Sequence, residues 1–371
     1  MAKKIKKLSP FEQKLNNWTT EHLSRIPFVQ KIFFVEHLRT MIHAGISLTE
    51  SLSIMAKEME NKKLRKIIGE IQIEIEKGKQ LSETLFLYPK LFPGVYVKMI
   101  AAGEVSGKLE ESLMQIEVQM KKSQALMSSV RGAMIYPAVV FTAMGGVGLL
   151  MVTVVLPKLT ELFKDFDADL PLATRVLIKI TDIMGNPLYL SLIIGFIIFA
   201  ITLFVYLLKN NLGFKRAIHG LMLHLPIFGP VIKQINLARF SLTFSSLMKS
   251  ALPIVDAIDI TADTCGNLRY KEALHTTTER IKKGDPLSES LRDYDQLFPP
   301  IVTEMIMVGE RSGEVNELLS ELSDFYSAQV DKTMKNFTTI IEPVIILVLG
   351  LAVAGMAVAV VMPMYTLVQN F

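Results

Sequence analysis

Apolar residues recur along this 371-residue chain at helical spacing, and no run alternates as a half-buried strand would. Leu48, Leu52, Met55 and Met59 fall at i, i+4, i+7 and i+11, as do Leu109, Leu113, Ile116 and Met120. Leu64, Ile67, Ile68, Ile71 and Ile75 form a third stripe. Such stripes predict amphipathic helices that each bury one face. Ser47 with Glu50 predicts a capping box, Gly78 and Gly284 mark turns, and Asp285-Pro286 suits the opening of a helix. Three further stretches, 138–156, 188–208 and 344–362, contain no Asp, Glu, Lys, Arg or His. At 1.5 Å of rise per residue, about 20 residues cover the roughly 30 Å hydrocarbon layer, so these stretches predict three transmembrane helices.

The pattern is written twice. Gly103-Glu104-Val105-Ser106-Gly107 returns as Gly309-Glu310-Arg311-Ser312-Gly313, an offset of 206 residues (309 − 103). The same offset carries Phe92-Pro93 onto Phe298-Pro299, Pro137 onto Pro343 and Pro157 onto Pro363 without a gap. Two copies in register predict two like modules, each an antiparallel helical bundle of about 100 residues whose last helix continues into the bilayer. The stretch 188–208 falls in the unrepeated insert and so serves as a return span. The fold class is an all-α membrane protein with two homologous helical bundles and three transmembrane helices. The expected order is a basic tail (1–30), bundle 1 (31–133), a span (134–156), a loop (157–187), a span (188–208), bundle 2 (209–338), a span (339–362) and a tail (363–371).

Composition agrees with a membrane assignment: half the residues are hydrophobic and mean hydropathy is +0.37, too apolar for an ordinary soluble chain of this length. Charge then sets the expected sidedness. Lys121, Lys122 and Arg131 precede the first span, Lys209, Lys215 and Arg216 follow the second, and Lys332 and Lys335 precede the third. The tail after Met362 has no Lys or Arg, and the 157–187 loop mixes four basic residues with five acidic ones. By the positive-inside tendency both bundles are cytoplasmic, while loop and C-terminus face the other side. Lys3, Lys4, Lys6 and Lys7 are not followed by the apolar run of a cleavable signal. They read as a solvated tail or, more sharply, as a contact with anionic membrane lipid. Cys265 has no partner cysteine, which excludes an internal disulfide and a multi-cysteine metal site and fits a reducing compartment.

Candidate chemistry is sparse. Gly103 to Leu109 looks like a phosphate loop, but only three residues separate Gly103 from Gly107, no Ser or Thr follows Lys108, and the second copy has Glu314 in place of the lysine. A tight turn at Gly103, Gly107, Gly309 and Gly313, with the following helix capped by Ser106 or Ser312, is the simpler reading. There is no H-E-x-x-H and no G-x-S-x-G, and the six His have no catalytic spacing. Catalytic, cofactor and metal-binding residues are therefore expected to be absent. The spans carry the remaining candidates. Tyr136-Pro137 and Glu342-Pro343 stand at matching membrane boundaries, where a proline at the first helical position costs no hydrogen bond. Glu342 is read either as a favourable charge at a helix start or as a contact for a cationic partner helix. Gly350 with Ala354, and Gly355 with Ala359, are small residues four apart that allow close helix approach, within the chain or between copies.

The duplicated G-E-x-S-G turns, the Tyr136-Pro137 and Glu342-Pro343 boundaries and the V-x-P ends at Pro157 and Pro363 together resemble the type II secretion F family from about residue 30 to the end. That family supplies the polytopic platform protein of type IV pilus and type II secretion machines. The resemblance implies a non-enzymatic adaptor that links a cytoplasmic hexameric assembly ATPase to pilin or pseudopilin subunits. Other implied partners are further inner-membrane assembly proteins and a second copy, with a dimer favoured; direct nucleic-acid binding and cofactors are not implied. About thirty residues precede the first copy, fewer than family members often carry. The alternative from another class is a transporter built from internal repeats.

Overall fold

The computed structural model describes residues 26–155, 157, 186–226, 228–250 and 252–369, and every regular element among them is a helix. The expected 157–187 loop, the lysines of the amino-terminal tail and the last two residues lie outside the described residues, apart from the edges of the loop. The first copy folds as α1 (Phe28–His43), α2 (Leu48–Glu58), α3 (Lys62–Glu76), α4 (Leu81–Phe86), α5 (Gly94–Ser106) and α6 (Leu109–Leu150), which passes into one π-helical turn at Met151–Val155. The insert supplies α7 (Pro187–Asn210) and α8 (Leu212–His224). The second copy follows as α9 (Phe228–Lys249), α10 (Ile254–Thr264), α11 (Leu268–Ile281), α12 (Leu287–Arg292), α13 (Pro300–Ser312) and α14 (Val315–Gln369). An offset of 206 carries α2, α4 and α5 onto α10, α12 and α13 at both ends, and the first residue of α6 onto that of α14.

Local chemistry explains the breaks. Ser47 Oγ accepts the Glu50 amide at 3.2 Å, and Asn61 Oδ1 accepts those of Lys63 and Leu64 at 3.0 and 3.1 Å. Asn267 takes the Arg269 amide at 2.9 Å in the same role. Gly78 and Gly284 hold φ of 89° and 98°, a left-handed conformation that glycine adopts freely, which ends α3 and α11. Beside these turns stands an ion pair whose signs are inverted between copies: Glu74 with Lys79 at 2.5 Å, and Arg280 with Asp285 at 2.9 Å. Hydrogen bonds from Lys77 and Lys79 draw the half-buried Glu74 carboxyl down to about 2.

The two cores share a plan with different filling. Phe34 meets Phe92, and Phe240 meets Phe298, with ring centroids 5.3 Å apart in each case. Leu52, Leu113 and Ile116 are fully buried, and so are their counterparts Ile258, Leu319 and Leu322. Where the first copy buries Leu64, the second buries Tyr270, whose hydroxyl donates to the Leu297 carbonyl at 2.7 Å and so keeps its polar end satisfied.

The described residues divide into two compact units, one within Met1–Met127 and Lys233–Ser327, the other within Ser128–Ile232 and Ala328–Phe371. Most of both bundles belongs to the first unit, where α5 packs on α10, whereas α8, expected in bundle 2, falls in the second. Gln119 Nε2 donates to Thr243 Oγ1 at 3.1 Å in a buried contact between copies, and Lys122 pairs with Asp324 at 2.5 Å. The second unit holds the apolar segments. Three helices, α6, α7 and α14, are long and apolar enough to cross a membrane. Their large side chains, among them Phe196, Phe199 and Leu351, point outward as lipid-facing residues do. The bent pair α8 and α9 also passes by length and composition. However, α9 buries Leu237, Phe240, Phe244 and Leu247 in the second bundle.

Cys265 is buried, and that burial pushes its thiol up to about 12. A maleimide at pH 7 to 8 is expected to leave the native protein unlabelled and to modify one thiol per chain once SDS unfolds it, as counted by intact mass.

Candidate functional site

The duplicated turn is the most heavily specified local structure, and it is built the same way twice. α5 ends when Gly107 takes φ of 70°, and α13 when Gly313 takes φ of 80°. The amide of Lys108 then donates to the Gly103 carbonyl at 2.7 Å and that of Gly107 to the Glu104 carbonyl at 3.3 Å, a Schellman closure. In the second copy the amides of Gly313 and Glu314 both reach the Gly309 carbonyl, at 2.8 and 3.0 Å. The chain reverses within two residues, so the next helix starts against the one just finished. A Cβ on Gly103 would lie 2.4 Å from Ser112 Oγ, and one on Gly309 would lie 2.8 Å from the Val315 Cα. The first glycine of each pair thus permits close approach and the second permits the turn.

Between those glycines stands a residue that periodicity alone does not single out. Glu104 reaches back to the start of α4, accepting the amides of Leu81 at 2.5 Å and Ser82 at 3.1 Å and the Ser82 hydroxyl at 2.5 Å. Glu310 does the same for α12, with Leu287 at 2.6 Å, Ser288 at 3.3 Å and the Ser288 hydroxyl at 2.5 Å. Neither Gln80 nor Pro286, which precede these six-residue helices, caps them with a side chain. A carboxylate from elsewhere in the fold therefore satisfies the orphan amides and faces the positive helix end. The signal in the sequence was the recurrence of glutamate beside positions that do change, Val105 to Arg311 and Lys108 to Glu314.

The expected serine caps are corrected. Ser106 Oγ donates backward to the Ala102 carbonyl at 2.8 Å instead of serving α6. Ser312 Oγ accepts the Glu314 amide at 3.3 Å, one residue ahead of α14. Around the shared turn the two copies expose different surfaces. Phe86, Leu87 and Val105 are exposed in the first, where the second has Arg292, Asp293 and Arg311. Further along α6, Glu117 is 11% exposed and holds Arg39 and Lys121 at 2.7 Å each, while Lys121 also reaches Glu36 at 3.0 Å. Burial works to raise the Glu117 carboxyl, yet the hydrogen bonds from Lys121 and Arg39 outweigh it and hold the group below its usual value. The second copy has Ser245 and Ser323 at the positions of Arg39 and Glu117, so this ionic knot occurs once.

The boundary prolines do not open helices. Pro137 lies inside α6 and Pro343 inside α14, so each removes the amide that would meet the carbonyl four residues earlier, Ala133 or Thr339. Glu342 is accordingly not a helix-start charge: it sits mid-helix, exposed, and its side chain makes no hydrogen bond or ion pair among the described residues. Tyr136 is exposed and Pro137 buried. Gly350, Ala354 and Gly355 face outward, and a Cβ on either glycine would meet nothing within 4 Å; the Ala359 side chain lies outside the described ones.

The family model described as type II secretion system (T2SS), protein F matches this chain twice, at residues 34–157 and 240–363, the same 206-residue shift that relates the two turns. The chain belongs to the type II secretion system protein F family. Among curated relatives, the type IV pilus assembly protein PilC of Thermus thermophilus is 33% identical over 335 residues, 90% of this chain and 82% of its own length. The type IV pilus assembly protein TapC of Aeromonas hydrophila is 33% identical over 330 residues, 89% and 79% respectively. The type II secretion system protein F of the same organism is 29% identical over 328 residues, 88% and 82%. Family membership and three apolar helices together make this a multi-pass inner-membrane protein.

The turn predicts a contrast between copies. Gly103→Ala meets mainly the Ser112 side chain, so adding Ser112→Gly should recover about half of the lost melting temperature. Gly309→Ala meets Val315 backbone, and no side-chain change should rescue it. Glu104→Ala, which strips a charged acceptor from two amides and a hydroxyl, should cost about 2–3 kcal/mol in an unfolding titration of the detergent-solubilised chain. The Glu117 knot adds a pH signature. A depressed carboxyl stabilises the fold fully above its unfolded pKa near 4.5 and loses that contribution as pH falls through the lower folded value. The wild type should therefore soften below about pH 4.5 more steeply than Glu117→Gln, read from melting curves across that range.

Proposed function

We propose that this protein is the non-enzymatic platform of a type IV pilus or type II secretion-like machine, coupling a cytoplasmic assembly ATPase to the insertion of pilin or pseudopilin subunits into a filament. The observation that carries this reading is the doubled family match, with each copy joining a helical bundle to a membrane-spanning helix. In this reading both bundles face the cytoplasm and the C-terminus lies across the membrane, supported by the basic residues that flank the spans on the bundle side. The ATPase bears on the paired bundles, and its stroke reaches the spans along α6 and α14, which run 42 and 55 residues without interruption. The different surfaces beside the two turns, apolar at Phe86, Leu87 and Val105 and charged at Arg292, Asp293 and Arg311, suit a head whose halves meet different partner surfaces. Gly350, Ala354, Gly355 and Ala359 are the helix-packing positions in this scheme, with a second copy or a pilin helix against them. Glu342, exposed at the bilayer edge, would meet a cation on that helix.

Deleting the gene is expected to abolish filament assembly or secretion while filament subunits accumulate in the membrane, with recovery on complementation, scored by immunoblot of sheared filaments. The purified chain is expected to show no ATP hydrolysis on its own. Activity there, or reporter fusions that place residues 31–120 and 240–330 on opposite sides of the membrane, would refute the reading.

A further inference from the structure

The insert between the copies contains a feature that the platform reading does not use. From residue 183 to residue 255 the chain has no Asp or Glu, while it carries Lys209, Lys215, Arg216, Lys233, Arg239 and Lys249. Three of these bases cluster where α7, a membrane span, gives way to α8 across the single residue Asn211. Asn211 Oδ1 accepts the Phe214 amide at 3.0 Å and so starts α8 at the end of the span. Phe204 of α7 meets Phe214 of α8 edge-on, with centroids 5.7 Å apart, which ties the first turn of α8 to the span.

α8 carries one apolar stripe, with Leu212 and Leu223 on the side opposite it. Phe214, Ala217, Ile218, Leu221, Met222 and Leu225 fall at i, i+3, i+4, i+7, i+8 and i+11, one apolar stripe continuing past the helix end. Its far end is uncovered: Leu221, Met222 and Leu225 are 60%, 40% and 39% exposed. Lys215, Arg216 and His219 lie off that stripe. Burial, with Lys215 beside it, holds the His219 imidazole below its ordinary value, so the positive charge here at neutral pH rests on Lys209, Lys215 and Arg216.

We propose that α8 lies in the headgroup layer of the membrane as an interfacial helix, with the Leu221, Met222 and Leu225 edge at the acyl boundary and Lys209, Lys215 and Arg216 binding the phosphates of anionic phospholipids. The occupant follows from position and charge. A helix that begins one residue beyond a span starts at the membrane boundary, and a stretch of sequence that carries six basic residues and no carboxylate from 183 to 255 attracts an anionic surface.

The test uses the full chain in nanodiscs of phosphatidylcholine alone or mixed with phosphatidylglycerol. A bimane on Leu221→Cys is expected to be quenched by lipids carrying a shallow nitroxide, whereas a bimane on Glu58→Cys, on the first bundle, is not. Native mass spectrometry of the detergent-purified chain is expected to retain phosphatidylglycerol over phosphatidylcholine. Neutralising Lys209, Lys215 and Arg216 to Gln should erode that preference by roughly fivefold per residue removed. The idea fails if the label at 221 is as water-exposed as the one at 58, or if the triple variant keeps the wild-type preference. Loss of the preference in millimolar inorganic phosphate would also overturn it, since the site would then bind a small anion and not a lipid. Should the triple variant misfold, salt titration of the wild type decides: a preference that does not weaken as salt rises sinks the proposal.

Discussion

Each half of this molecule depends on a carboxylate that reaches back more than twenty residues to close a short helix. Glu104 and Glu310 each gather two amides and a hydroxyl from the start of α4 or α12. A six-residue helix has little intrinsic stability, and one whose amides point into the fold without an acceptor has less. The glutamate can stand there only because the glycine before it lets the next long helix pass within contact distance and the glycine after it reverses the chain. Five residues thus fix three helices.

Duplication kept that arrangement and loosened nearly everything around it. The aromatic pair Phe34–Phe92 persists as Phe240–Phe298, but Leu64 becomes a hydrogen-bonded Tyr270, and the ionic cluster on Glu117 has no counterpart at Ser323. The pair flanking the glycine turn survives with both signs exchanged, Glu74–Lys79 against Arg280–Asp285. The attraction is the conserved quantity there, not the residues. The bundle cores of the two copies, with one skeleton and unlike surfaces, lie in a single compact unit in which Gln119 meets Thr243.

Much of this is legible in the sequence. The 206-residue shift, the helical stripes and the charge-free spans are periodic or compositional, and both are properties of sequence. The cap at Ser47 and the turns at Gly78 and Gly284 are local, and local chemistry stated them correctly. What escaped were contacts between distant residues. Glu104 serves Leu81 and Ser82 across the fold, so no window of sequence shows the partnership. The serines beside the turn were misread because a hydroxyl there chooses between the helix behind and the helix ahead, and Ser106 chose the former. The prolines were misread because a Pro after a polar residue looks like a helix start, whereas the helix on both sides of Pro137 and Pro343 is long enough to absorb one missing hydrogen bond.

The uninterrupted length of α6 and α14 has a consequence of phase. A residue in an α-helix is turned about 100° from its neighbour and advanced about 1.5 Å. Since each of these helices starts from a fixed glycine turn, the azimuth of the side chains it buries inside its bundle is referenced to that turn. One residue added between Gly107 and Leu113 would turn Leu113, Ile116 and Met120 about 100° away from the core face they now fill, leaving composition and hydropathy almost unchanged.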